Sequence, residues 1–212
     1  MKPKVVLADD HTIVTEGLRA LLQPEFQIVA AVDNGRAAIR AVRDFNPAVI
    51  VLDISMPLLN GIDTAREIRK FDPKIKIVFL TMHTELAYVH EAFGAGASGY
   101  VIKHSASLDL RLAIKRALLG RTHITPGIAK NEADALLAGS RRARKPSAQL
   151  TSRQREVLQL LAEGLSAKQA AAILNLSSRT VEFHKYRLMQ QLNLRTTAQL
   201  THFAIKHKII SG

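Results

Sequence analysis

Three aspartates, a threonine and a lysine carry the chemistry open to the first half of this 212-residue chain. Asp9 and Asp10 follow the run KVVLA, Asp53 follows AVIVL, Thr81 follows KIVFL and Lys103 follows GYVI. Carboxylates crowded together repel and raise one another's pKa. A hard divalent cation relieves that repulsion, and Mg²⁺ takes one or two carboxylates and leaves its other positions to water and phosphate oxygens. A lysine adds a positive charge for an anion, and a threonine adds a hydroxyl donor. The set suits a phosphoryl group carried on a carboxylate: one aspartate attacks phosphorus while metal and lysine neutralise charge. Each residue alone has a plainer reading, an Asp as a helix cap and a Lys as an ion-pair partner. Their placement at successive strand ends is what favours the site.

That placement depends on the elements. The apolar runs starting at residues 4, 27, 48, 76 and 99 are short and rich in Val and Ile, as strands covered on both faces should be. Amphipathic stretches over 12–22, 35–44, 60–70, 85–93 and 106–119 alternate with them. This predicts an α/β domain over residues 1–120, a five-stranded parallel sheet with helices on both faces. Parallel strands bring all five polar residues to one edge, where such sheets bind ligands. After Gly120 the pattern changes. Segment 121–147 reads as a linker with a short helix near 127–138 and a basic run, 141-RRARK, that is either solvated or an auxiliary DNA contact. Residues 148–212 carry no strand signal and predict four helices, near 151–163, 166–174, 178–192 and 197–207, with Thr151 and Gln154 placed for a capping box. Four short helices with tight turns suggest a helix-turn-helix module.

Composition narrows the function. The hydrophobic fraction is 47%, enough for real cores, and there is no Cys, which excludes disulfides, thiolate metal sites and cysteine nucleophiles. No apolar run approaches a membrane span, and two aspartates occupy the place where a signal peptide needs its apolar stretch, so a cytoplasmic protein is expected. The net charge is +12, and residues 150–212 hold +6 of it, from 9 Lys and Arg against 3 acids, whereas residues 1–122 are nearly balanced at +3. A polyanionic partner for the C-terminal module follows, against the blander reading of a solubilising surface.

The first half resembles the receiver domain of bacterial two-component response regulators. The Asp9–Asp10 pair, the D-x-x-M-P of Asp53 to Pro57, Gly61, Thr81, and Lys103 with Tyr100 before it all fall in the family's order. The resemblance implies a flavodoxin-like fold, Asp53 as phosphoacceptor, and Mg²⁺ held by Asp10, Asp53 and the backbone carbonyl of Ser55, with Asp9 acting through water. It implies Thr81 and Tyr100 as a switch pair, Thr81 swinging to the phosphoryl group and Tyr100 rotating inward, and Lys103 as the phosphate-binding lysine. Ser55 and His83, two places beyond Asp53 and Thr81, would flank the path of an attacking water and tune phosphate lifetime.

The second half resembles the LuxR-type helix-turn-helix domain, as joined to receivers in the NarL/FixJ subfamily. The matches are L-T-x-R-x-R-E-V-L at 150–158, the Gly164 turn, Lys168, T-V-E-x-H from Thr180 to His184, and L-x-x-R from Leu192 to Arg195. Gln154 stands where the family usually has Glu, and Ala170 and Ala171 where a larger aliphatic is common, so the second helix is expected to pack closely. Helical spacing puts Val181, His184, Leu188 and Leu192 on one stripe, read as core. Glu182, Phe183 and Tyr186 cluster on another face near the helix N-terminus, the part that enters a major groove. Glu can accept from cytosine N4 and Phe can touch a thymine methyl. Lys185, Arg187, Lys168, Thr180 and Arg179 suit phosphates.

The expected function is a phosphorylation-dependent, DNA-binding transcriptional regulator. Its expected partners are a cognate sensor histidine kinase, double-stranded promoter DNA, RNA polymerase, and a second copy of the chain, with the fourth helix (Ala198, Leu200, Ile205) as a candidate dimer face. It is expected not to be an enzyme beyond phosphorylation and dephosphorylation of its own Asp53. A phosphohydrolase is the competing enzyme reading, although haloacid-dehalogenase-like phosphatases space their acids as D-x-D after the first strand. RNA binding is a third class, disfavoured because the helical module lacks an exposed aromatic sheet.

Overall fold

A computed structural model describes residues 1–128, 150–207 and 209–210. The chain divides into two compact units. The first begins with β1 (Lys4–Ala8), α1 (Thr12–Leu22), β2 (Gln27–Val32), α2 (Gly35–Phe45) and β3 (Val49–Leu52). It continues with α3 (Gly61–Phe71), β4 (Lys76–Thr81), α4 (Leu86–Gly94), β5 (Gly99–Ile102), a 3₁₀ turn at Lys103–Ser105, α5 (Ala106–Leu118) and β6 (His123–Ile124). All strands are parallel, in the order β2-β1-β3-β4-β5-β6. The inner strands are apolar throughout because helices cover both faces. Side chains alternate between the two sides. Val6, Ile50, Ile77 and Phe79 join the core on the side that takes in Ala38, Ile68 and Val89 from α2, α3 and α4. Val5, Leu7, Val51 and Leu80 join the opposite core with Leu18 and Leu22 of α1 and Ile114 of α5. The order reverses between β1 and β3, the kind of switch point at which α/β sheets bind ligands.

The fold differs from the sequence expectation in one strand. Six strands form instead of five, because residues just past Gly120 return to pair with β5. A two-residue strand has no periodicity to read. The expected short helix begins at residues 126–128, while the remainder and the 141–145 basic run lie outside the described residues.

The second unit is helical among its described residues: α6 (Ser152–Ala162), α7 (Ala167–Leu174), α8 (Ser178–Gln191) and α9 (Thr197–Lys206). Three of the four starts are closed by capping boxes, Thr151 with Gln154, Ser166 with Gln169, and Thr196 with Gln199. Gln154 thus does the work of the usual Glu. Gly164, Asn175 and Asn193 take positive φ (90°, 52° and 54°) at the helix ends, conformations that glycine and asparagine tolerate best. The core gathers Leu150, Val157, Leu158, Leu161, Leu174, Val181, Leu188 and Ala204. Ala170 and Ala171 are buried there, which explains small residues at the α7 contact. Two expectations are corrected. His184 and Leu192 are only half-buried, at the margin of the stripe whose centre is Val181 and Leu188. Leu200 is fully buried in the module's own core, so it cannot serve a dimer face; Ala198 and Ile205 are exposed. Among the described residues, no helix is long and apolar enough to cross a membrane.

Candidate functional site

The five strand-end residues meet the carboxyl edge of the sheet as the parallel topology requires. Asp9 and Asp10 follow β1, Asp53 follows β3, Thr81 is the last residue of β4 and Lys103 follows β5. Lys103 Nζ lies 2.7 Å from Asp9 Oδ2 and 2.8 Å from Asp53 Oδ2. Both carboxylates are almost wholly buried, whereas Asp10 is exposed. Asp53 Oδ1 accepts the Ile54 N–H at 2.7 Å, and the Asp53 N–H donates to Ala8 O at 2.8 Å, so the residue is fixed on both sides. The loop after it closes when the Gly61 N–H donates to Ile54 O at 2.8 Å. A Cβ at Gly61 would collide with the backbone oxygen of Asp53, so this glycine is required for space rather than for its φ.

Two buried carboxylates against one ammonium leave the pocket with excess negative charge. Burial pushes the Asp53 carboxyl above its ordinary pKa, against the pull of Lys103 and with repulsion from Asp9 assisting. Burial acts to lower the Lys103 ammonium, but Asp53 and Asp9 outweigh it and hold its pKa above the usual lysine value. Ligand atoms of Asp9, Asp10, His11 and Asp53 lie within 4.8 Å of one another. Hard oxygen donors at this spacing, with surplus negative charge, fit a divalent cation such as Mg²⁺.

Thr81 is fully buried, and its Oγ1 accepts the His83 N–H at 3.2 Å. Tyr100 is also fully buried and donates its hydroxyl to His83 O at 2.9 Å, so its ring already occupies the inward position. Ser55 Oγ and His83 Nε2 are 2.8 Å apart, and the His83 ring stacks on Tyr88 with centroids 3.9 Å apart. Sequence reasoning passed over His11, whose Nδ1 is 3.1 Å from Asp9 Oδ1 and 2.9 Å from Asp10 Oδ1. Its only signal was its place directly after the acidic pair, at the N-cap of α1.

In the second unit, α7, the turn at Asn175 and α8 form a helix-turn-helix. On α8, Glu182, Phe183, Tyr186 and Arg187 are exposed, while Lys185 and Thr180 are half-buried; Lys168 and Arg179 are exposed. Phe183 and Tyr186 are 55% and 60% exposed, unusual for large aromatic side chains without a partner to cover them. The Arg187 guanidinium sits 5.3 Å above the Phe183 ring, Gln190 Nε2 donates to the Tyr186 hydroxyl at 2.7 Å, and Lys185 Nζ is 3.7 Å from Glu182. The candidate readers and most of the candidate phosphate contacts thus stand on α8, with Lys168 on α7.

The raised Asp53 pKa carries a sign. A carboxyl that binds its proton more tightly in the folded state contributes stability below its unfolded pKa and loses it as pH rises through the folded value. At pH 7, with metal chelated, Asp53→Asn should therefore raise Tm, since Asp9 still partners Lys103. Melting curves from pH 7 down to pH 4 should show that gain shrinking; a gain independent of pH, or a lower Tm at pH 7, would contradict the burial argument.

Comparison with known proteins agrees with both halves. Residues 5–115 match the response regulator receiver domain, and residues 148–204 match the bacterial regulatory proteins of the luxR family. The chain is 32% identical to the transcriptional regulatory protein DegU of Brevibacillus brevis, over 97% of this chain and 94% of that one. It is 31% identical to the response regulator UvrY of Escherichia coli (strain K12), over 98% and 96%. A solved structure of two RcsB dimers bound to two parallel DNAs aligns with a TM-score of 0.60 at 26% identity, over 96% of this chain and 98% of that one. With both domain matches in chain order and relatives that run the length of the sequence, this chain belongs to the two-component response regulators that join a receiver domain to a LuxR-type DNA-binding domain and regulate transcription.

Proposed function

We propose that Asp53 accepts a phosphoryl group from a cognate sensor histidine kinase and that this modification controls binding of the C-terminal module to promoter DNA. The observation that carries the reading is Lys103 Nζ between two buried carboxylates, at 2.7 and 2.8 Å. An Asp53 carboxylate oxygen forms the bond to phosphorus as the donor's phosphorus–nitrogen bond breaks. Lys103 neutralises the phosphoryl oxygens, and the Thr81 hydroxyl, released from the His83 N–H, supplies a further donor. Mg²⁺, held by Asp10, Asp53 and the Ser55 carbonyl, with Asp9 acting through water, would add charge neutralisation and orient the phosphoryl group. Hydrolysis returns the carboxylate when water attacks phosphorus. The Ser55–His83 pair beside the pocket sets how readily that water enters. The domains of this reading are the receiver (1–120), a linker (121–147) and the DNA-binding domain (148–212).

On DNA, α8 enters the major groove. Glu182, Phe183 and Tyr186 face base edges, and Lys168, Arg179, Thr180, Lys185 and Arg187 hold phosphates. One small module buries too little surface for high specificity, so a homodimer on an inverted repeat is the working form. RNA polymerase is a further partner, and the compartment is the cytoplasm.

Acetyl phosphate with Mg²⁺ should add about 80 Da, the mass of one phosphoryl group, to the wild-type chain and nothing to Asp53→Asn; equal labelling of both would refute the assignment. His83→Ala should change the half-life of that adduct severalfold while the far-UV circular dichroism stays constant; an identical half-life would discard the tuning role. With ~5 phosphates neutralised per module, log affinity should fall against log salt with a slope of about −4 to −5, doubling for a dimer. Arg179→Ala should flatten that slope by about 1, whereas Phe183→Ala should leave the slope and cost about 1–3 kcal/mol only at operators carrying its preferred base. A Phe183→Ala loss uniform across sequences would remove it from the readers.

A further inference from the structure

The segment after α5 is absorbed into the first unit, although it lies past residues 5–115 that match the receiver family. Leaving Gly120, the chain returns along β5 as β6, placing His123 beside Gly99 and Ile124 beside Tyr100. The Thr125 N–H donates to Tyr100 O at 3.0 Å. The Thr125 hydroxyl then takes over the ladder: it accepts the Ile102 N–H at 3.2 Å and donates to Asp109 Oδ2 at 2.7 Å. Its direction is fixed, because a carboxylate has no hydrogen to give. Asp109, in the first turn of α5, also has Oδ1 3.0 Å from His123 Nε2. Arg116 closes the group with a donor 3.2 Å from His123 Nδ1. A guanidinium only donates, so Nδ1 accepts and the ring hydrogen sits on Nε2, which lies close to Asp109 without hydrogen-bond geometry. Asp109, His123 and Thr125 are buried, and Ile128 is buried in the core that holds Tyr88, Tyr100 and Ile102.

A buried polar group of this kind stabilises only while every member keeps its partner. It sits at an informative place. Ile102, held by Thr125, immediately precedes Lys103, whose ammonium spans Asp9 and Asp53. Tyr100, whose carbonyl holds the Thr125 N–H, has its hydroxyl on His83. The strand that ends in the pocket lysine is therefore gripped on its other side by the first residues of the path to the DNA-binding module.

We propose that residues 123–128, strand β6 and the first helical residues after it, form an output segment, and that Asp109 and Thr125 are positioning residues coupling its docking on β5 to the charge carried at Asp53. When Lys103 exchanges a carboxylate for a phosphoryl oxygen, the end of β5 shifts and the Ile102–Thr125–Asp109 chain must adjust. Linkage is reciprocal, so loss of that chain must change the affinity of the pocket for its anion. The proposal rests on Asp53 being the phosphoacceptor.

The experiment uses the full-length chain with Mg²⁺ and beryllofluoride, an aspartyl-phosphate mimic. Amide exchange over residues 123–128 should differ about fivefold or more between the free and beryllofluoride-bound wild type, the lower end of typical coupling between sites. Beryllofluoride affinity, read by ¹⁹F NMR, should change by a similar factor in Thr125→Val and return to the wild-type value in Thr125→Ser, which restores the hydroxyl. Bound beryllofluoride with unaltered exchange in the wild type overturns the coupling. Wild-type affinity in a folded Thr125→Val does so as well. No bound species even in the wild type removes the phosphoacceptor reading, and the coupling with it, so the two failures are told apart.

Discussion

A single ammonium shared by two buried carboxylates organises this receiver. Lys103 Nζ between Asp9 and Asp53 is an unbalanced cluster, two negative charges against one positive, held out of water. Burying charge is costly unless partners are exact in place, and here the partners come from three different strands. Only a parallel sheet whose strand ends coincide can bring residues 9, 53 and 103 to one point. The Val- and Ile-rich strands, the helices that cover them and the glycine at 61 that lets the β3–α3 loop lie against Asp53 all serve that convergence.

The cluster is built to accept charge rather than to be stable as it stands. Asp53 is held above its ordinary pKa, so its ionised form is disfavoured by the fold around it. That is the usual cost of a functional site, where stability is given up for reactivity. A divalent cation would relieve the excess charge, and a phosphoryl group would redirect the lysine.

Much of this was legible in the sequence because it follows period and composition. The five longer strands and the helices between them were readable from short Val- and Ile-rich runs and amphipathic stretches, and the four C-terminal helices from their turns and from the Thr151–Gln154 capping box. The polar residues of the pocket were readable because each stands at the end of a run. What escaped has no local signature. β6 is two residues long, and it is held by Thr125, which directly follows it, and by Asp109, sixteen residues before Thr125 on α5. The position of Tyr100 depends on a hydrogen bond to a backbone carbonyl seventeen residues away. Leu200 was misread because exposure on a short helix turns by 100° per residue, so positions 198, 200 and 205 cannot all share one face.

The energetic scale of the switch sets what the second unit must be. A local charge change biases a distant equilibrium by a coupling of roughly 1–3 kcal/mol, or about 5–150-fold. Such a factor controls transcription only if DNA binding is poised near its threshold. A module whose affinity comes largely from phosphates is weak and salt-sensitive when single, and pairing two modules on one site multiplies the effect of small changes in either. The distribution of charge in this chain fits that division: a nearly balanced first part carries the modification, and a compact basic module with +6 over residues 150–212 supplies the attraction to DNA. In the proposed reading, exposed Phe183 and Tyr186 add base discrimination without adding charge, so that specificity and salt dependence rest on different residues of the same helix.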